Sequence, residues 1–151
     1  MIQLIKATLE DLSEITSLLG AYEDYEYELD HRQLPQTKQQ LKKQTTYLFK
    51  EGNVQFSLIK EDQETIGVVN WEVRKRNKGN AGIIHNIFIK KESRNKGTGR
   101  KILHELFTHF KKERCTSVST FIKPYNKQSQ YFWKKQGFDL DLGYSAKKRL
   151  I

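Results

Sequence analysis

Residues 90–107, KKESRNKGTGRKILHELF, gather Lys90, Lys91, Arg94, Lys96, Arg100 and Lys101 around two glycines one residue apart, then run into an amphipathic pattern. A helix that opens on such a turn leaves its first amides without partners and turns the positive end of its dipole outward, and anions bind such places. Gly97 and Gly99 let the backbone curl with amides pointing inward, while Arg94, Lys96 and Arg100 add charge around the same point. A pyrophosphate is the natural guest. The turn is neither a P-loop, which needs four residues between its glycines and then Gly-Lys-Ser/Thr, nor a dinucleotide turn, whose third glycine would stand where Ile102 is. Taken alone, the stretch is also compatible with a basic loop that only starts a helix.

Charge points the same way. The chain of 151 residues carries +9, which favours an anionic partner. Residues 23–30, EDYEYELD, hold five of the 18 acids and no base, so the rest carries 27 bases against 13 acids: an acidic spot on a basic body. The single Cys115 excludes an internal disulfide, and His104 and His109, five apart, point in different directions on a helix, so no metal site is expected. No run approaches 18 apolar residues, and no charged segment followed by an apolar run opens the chain; a soluble, cytoplasmic protein without membrane attachment is expected.

The elements that must carry these residues alternate along the chain. Residues 2–6 read as a strand, and Thr8 with Asp11 resembles a capping box ahead of the apolar face Leu12, Ile15, Leu18 and Leu19. The acidic, tyrosine-rich piece follows as a loop or ragged helix end, and residues 37–50 as a second helix stopped near Gly52. From Val54 the period becomes two, giving a three-strand meander whose third strand is apolar on both faces at Ile83, Ile84, Ile87, Phe88 and Ile89 and is therefore central. A helix carrying Ile102, Leu103, Leu106, Phe107 and Phe110, a strand at 116–123, a short helix at 126–136 ended by Gly137, and closing strands complete the order.

Three features together resemble the GNAT superfamily of N-acetyltransferases. Its Arg/Gln-x-x-Gly-x-Gly/Ala signature matches Arg94, Asn95, Lys96, Gly97, Thr98 and Gly99; its Asn-x-x-Ala-x-x-Phe-Tyr-x-x-x-Gly-Phe appears as Asn126, Ser129, Phe132, Trp133, Gly137 and Phe138; and the element order agrees from end to end. The resemblance implies an α/β fold in one domain over residues 1–151. Its mixed, mostly antiparallel central sheet would have about six to seven strands and about four flanking helices, splayed in the middle to admit coenzyme A. It implies acetyl-CoA as acetyl donor, with the pyrophosphate on the turn from Arg94 to Arg100. Ile87, Phe88 and Ile89 would pair through their backbone with the pantetheine arm, as an added strand does. Asn126 would contact the cofactor near the thioester, flanked by Ser129 and Phe132. Core packing is the plain alternative for Phe132 and Phe138.

For the chemistry, an acceptor amine of ordinary pKa about 10.4 needs a base. His85, two residues before Ile87, resembles the position from which some family members supply one; a satisfied core histidine between Ile83 and Ile87 is the other reading. The family's general acid, a Tyr, falls on Trp133, whose indole cannot give up a proton at useful pH. Tyr131 is a catalytic candidate, although it lies about 200° around the helix from Trp133 and cannot simply stand in for it. Tyr125, Tyr144 and water remain, and a thiolate with a pKa near about 8.5 can leave without an acid. By the same resemblance the acidic segment forms one wall of the acceptor site. There Tyr22, Glu23, Tyr25 and Glu26 would attract a small-molecule or peptide amine of cationic character, such as a polyamine, a basic peptide or an aminoglycoside-like cation; a solvated acidic loop is the alternative. Two other functions stay open: a CoA-binding sensor of the same fold, motivated by Trp133, and a nucleic-acid-binding module using residues 74–78 and 147–149, disfavoured by the lack of any recognisable reader. A homodimer is compatible with the sequence.

Overall fold

The computed structural model describes residues 1–32, 34–140 and 145–150. Strand β1 (Ile2–Lys6) leads through a 3-10 turn (Leu9–Asp11) into helix α1 (Leu12–Leu29), followed by α2 (Lys38–Glu51). The meander is β2 (Gln55–Glu61), β3 (Glu64–Arg74) and β4 (Asn80–Ile89); after a 3-10 turn (Lys91–Ser93) come α3 (Thr98–Lys112), β5 (Cys115–Phe121), α4 (Lys127–Lys135), β6 (Asp139–Leu140) and β7 (Ser145–Arg149). The capping box at Thr8 and Asp11 is formed. A second joins Thr37 to Gln40 at the start of α2, which ends on Gly52 at φ 81, where a residue without Cβ is favoured.

The strands make one sheet in the order β1-β2-β3-β4-β5-β7-β6, antiparallel throughout except between β4 and β5. The mixed seven-stranded sheet with four helices is thus the expected architecture, and β4 is its middle strand. The parallel pair runs only from Asn80 opposite Cys115 to Ile84 opposite Thr120, while β4 continues beside β3 as far as Gly67 opposite Ile89. The β5-facing edge of Ile87, Phe88 and Ile89 is therefore left unpaired by any described strand. Thr120 Oγ1 donates to the Ile84 carbonyl oxygen at 2.9 Å, pinning the two strands at the last residue before they part.

A bulge lies just before that opening. Asn86 is opposite Asn70 and Ile84 opposite Trp71, so His85 is the extra residue on β4. Side chains alternate along a strand, and one inserted residue exchanges the faces beyond it. Ile84 consequently packs into the core beneath α3 and α4, with Leu103, Phe110 and Trp133. Phe88, four residues on, packs into the opposite core with Ile15 and Leu18 of α1 and Leu41 of α2. On α3, Ile102, Leu103, Leu106 and Phe110 are 0–1% exposed. Burying each stabilises the fold by about 1.5–3 kcal/mol, which fixes that helix and the turn at its start.

Of the two readings of residues 23–30, a loop or a ragged helix end, the helix is found: α1 continues to Leu29 and is capped at Asp30. Its packed face extends that far: Tyr22 meets the Phe88 ring edge-on with centroids 5.8 Å apart, and Glu26 is buried one turn later. Among the described residues, no helix is long and apolar enough to cross a membrane, and no cluster of His, Cys, Asp and Glu could hold a metal ion.

Candidate active site

The turn between β4 and α3 gets its shape from two left-handed residues, Asn95 at φ 61 and Gly97 at φ 76. Asparagine tolerates this region, and glycine enters it without steric cost. Gly97 is the N-cap of α3 and supplies no side-chain cap, so the first amides of α3 have no partner inside the helix. A Cβ on Gly97 would meet nothing within 4 Å, leaving that side of the turn open to an anion. Gly99 serves a different purpose. A Cβ there would lie 3.0 Å from Phe132 Cζ, so its absence lets α3 and α4 approach.

Arg94 departs from the role of loose charge beside the turn. Its Nε donates to the Ile89 carbonyl oxygen at 2.7 Å, and its guanidinium lies 4.8 Å from the Tyr25 ring centre and 5.3 Å from that of Phe88. It thereby staples the turn to β4 and α1. Lys96 and Arg100 are exposed.

From this turn a cleft of about 1060 Å³ follows the unpaired edge of β4 towards α4. Ile87, Phe88 and Ile89 form one side, and Asn126, Ser129 and Phe132 the other. Arg94, Asn95, Gly97, Thr98, Gly99 and Arg100 close the end, and of the expected cofactor residues only Lys96 is off the wall. The Asn126 side chain caps α4 by accepting the Ser129 amide at 3.0 Å, so it is held rigidly at the cleft. Phe132 both packs on the core and lines the cleft, whereas Phe138 is 3% exposed core. Trp133, also 3% exposed, packs edge-on to Phe132 and Phe138 at 5.4 and 4.8 Å: a packing group occupies the position of the family's tyrosine. Tyr131 is 63% exposed on the outer wall with Lys135 Nζ 5.1 Å from its ring centre. Tyr144 lies outside the described residues.

His85 is no core histidine. As the bulge residue it turns out of the sheet with about a third of its side chain exposed, and its Nε2 is 3.7 Å from Glu72 Oε1. Arg74 Nε donates to that same Glu72 oxygen at 2.7 Å, so the nearly buried carboxylate is neutralised from one side and faces His85 from the other. A second cavity of about 480 Å³ meets the cleft at Tyr22, His85, Asn86 and Phe121. Of the acceptor residues expected from the sequence, Tyr22, Glu23 and Glu26 line this second cavity; Tyr25 faces the first, donating to Gln128 Oε1 at 3.3 Å. Burial, then hydrogen bonding to the Glu26 carboxylate, pushes the Tyr22 phenol far up, and the same causes in the same order act on Tyr125. Both stay neutral at any physiological pH. Glu72, Asn86 and Phe121 went unrecognised in the sequence because they come from strands with no local mark of function.

A sheet that parts beside its parallel pair, with an open amide turn at one end of the gap and a second cavity at the other, is the framework of an acetyltransferase. The chain belongs to the acetyltransferase (GNAT) family, whose model matches residues 13–138. Its fold is similar to that of an acetyltransferase from Thermus thermophilus, with TM-score 0.81 and 14% identity over 99% of this chain and 97% of that one. A GNAT-family acetyltransferase from Staphylococcus aureus gives TM-score 0.77 and 17% identity with both chains covered completely. The PaiA N-acetyltransferase from Thermoplasma acidophilum, in complex with coenzyme A, gives 0.73 and 17% over 99% of each chain. No protein of curated function matches the sequence.

Proposed function

We propose that this protein moves the acetyl group of acetyl-CoA directly to a primary amine of a cationic acceptor. The observation that carries the reading is the meeting of the two cavities at His85: an anion-accepting, strand-edged cleft on one side and a carboxylate-bearing cavity on the other. The open turn at Gly97 and the unpaired β4 edge fit a pyrophosphate followed by an extended amide-bearing arm, and coenzyme A is bound in the Thermoplasma structure of the same fold.

Bound there, acetyl-CoA supplies an electrophilic thioester carbonyl. The amides of Thr98, Gly99 and Arg100 hold the phosphates, the β4 edge orients the arm, and Asn126 with Phe132 sets its far side. An acceptor nitrogen arriving through the second cavity passes His85, which takes its proton directly or through water. The lone pair then forms the C–N bond, the C–S bond breaks with the electron pair leaving on the thiolate, and the nitrogen's second proton passes to water to leave the neutral amide. Glu72 keeps the imidazole oriented. Trp133 offers no acid, so the thiolate departs unprotonated at the end of the cleft away from the turn. The lone buried Cys115 suits a reducing cytoplasm.

The test incubates the protein with acetyl-CoA and a panel of amines and measures free thiol. Release that depends on amine and falls at least about 100-fold in His85→Ala is expected, a typical worth for a positioned base. Tight coenzyme binding with no release above background for any amine would replace the enzyme with a coenzyme sensor, the reading Trp133 favours.

A further inference from the structure

Asn70 of β3 is 5% exposed, yet among the described residues its Oδ1 has no hydrogen-bond partner. It stands opposite Phe56 and two residues after Val68, both in the core under α1 and α2, where a bare amide oxygen is costly and a leucine would pack better. Its neighbour on the other side explains the polar choice. Asn86 of β4 is its register partner, so the two side chains share a face with Cβ atoms about 4.5–5.5 Å apart. Asn86 lines both cavities beside His85, and because Asn70 Oδ1 is bare, the Asn86 amide is not donating to it in the free protein.

The two carboxamides stand in a row across the sheet, with Asn70 on the β3 side of Asn86 and the opening left by β5 on the other. We infer that Asn86 is a catalytic residue set by Asn70: Asn86 Nδ2 donates to Asn70 Oδ1, which turns Asn86 Oδ1 to the opening, where it accepts an N–H of the acceptor nitrogen. The inference rests on the acetyltransferase reading and adds two residues to its site. A carboxamide that donates on one side offers its oxygen on the other, so Asn70 decides which atom meets the amine. An ammonium brings three N–H groups: one proton goes to His85, one to water after attack, and the last stays on the amide product. Asn86 Oδ1 holds that last N–H throughout, which fixes the direction of the lone pair and stabilises the positive nitrogen formed on attack. Asn70, its oxygen sealed from solvent, touches no substrate and is a positioning residue.

The experiment uses the full chain, acetyl-CoA and two primary amines, n-butylamine and 1,4-diaminobutane. Free thiol, coenzyme A affinity and melting temperature are measured for the parent, Asn70→Leu, Asn86→Ala and the double variant. Asn70→Leu fills a similar volume and removes the bare oxygen, so its melting temperature is expected to hold or rise. Its kcat/KM is expected to fall about 10- to 100-fold, the worth of one charge-assisted hydrogen bond, with coenzyme A affinity within about twofold. Asn86→Ala should lose at least as much, and the double variant no more than Asn86→Ala alone, since Asn70 reaches the amine only through Asn86. Losses that multiply in the double variant overturn the inference, as does a loss in Asn70→Leu that comes with a lowered melting temperature and weakened coenzyme A, the mark of a packing role. Parental turnover in Asn86→Ala overturns it even if the leucine variant fails to fold. In each of these cases the parent still releases thiol, and the acetyltransferase reading stands; no thiol from either amine with the parent removes both.

Discussion

Gly97→Val separates two explanations of why the turn needs glycine. At φ 76 and ψ 8 the residue lies in the left-handed region, where an L side chain costs about 1–2 kcal/mol and a β-branched one stands out further. For a chain of this size that loss lowers the melting temperature by roughly 2–8 °C. The chain relieves the strain by leaving the region, which rotates the Thr98 amide away from the bound anion. Losing one charge-assisted hydrogen bond then weakens coenzyme A by roughly 10- to 150-fold. Bulk is not the cause, since a Cβ at this position meets nothing within 4 Å of the protein. Gly97→Asn supplies the control: asparagine adopts this region readily, as Asn95 does two residues earlier at φ 61. It is expected to bind coenzyme A within about threefold of the parent. Calorimetry and thermal denaturation of the three proteins decide the matter. If the Val variant binds as the parent does, or the Asn variant loses as much as Val, the backbone dihedral is not what the turn depends on.

Asn126→Ala removes the cap of α4 and is expected to cost about 1 kcal/mol in urea denaturation, whereas Asn126→Asp, which still accepts the Ser129 amide, stays close to the parent; equal losses would deny the cap. Gly99→Ala drives a methyl to within 3.0 Å of Phe132, which must swing into the cleft, so coenzyme affinity should fall while the fold loses about 1–3 kcal/mol. Unchanged affinity would mean that the ring has another way out. At high pH the native state holds protons on Tyr22 and Tyr125 that unfolded phenols release near about pH 10, so stability should fall as pH rises past that point. Absorbance in the near ultraviolet, where phenolate absorbs and phenol does not, should show these two phenols ionising only on alkaline unfolding, and Tyr22→Phe should flatten the loss; all seven tyrosines titrating together in the folded chain would contradict their burial.

Sequence periodicity made the helices and strands legible because each buries one face against a common sheet, and burial writes its period into the chain. α3 shows this best, since its buried side chains repeat at helical spacing and follow a glycine-opened turn. The same logic left residues 23–30 open between a loop and a helix end, because their acids suggested solvent. There the face that packs is built from Tyr22 and Glu26, residue types that pattern reading counts as polar or ambiguous, and the partner of Tyr22, Phe88, is more than sixty positions away.

What the amino-acid order fixed by itself is therefore local: the pair of glycines, the cap at Thr8, and the apolar middle strand. Only the assembled sheet decided the rest. Where β5 leaves β4, that His85 is the residue squeezed out by the bulge, and that Glu72 stands behind it all depend on the pairing of strands distant in the chain. Such pairing is set by the register and close packing of the whole molecule, and no window of neighbouring residues contains it.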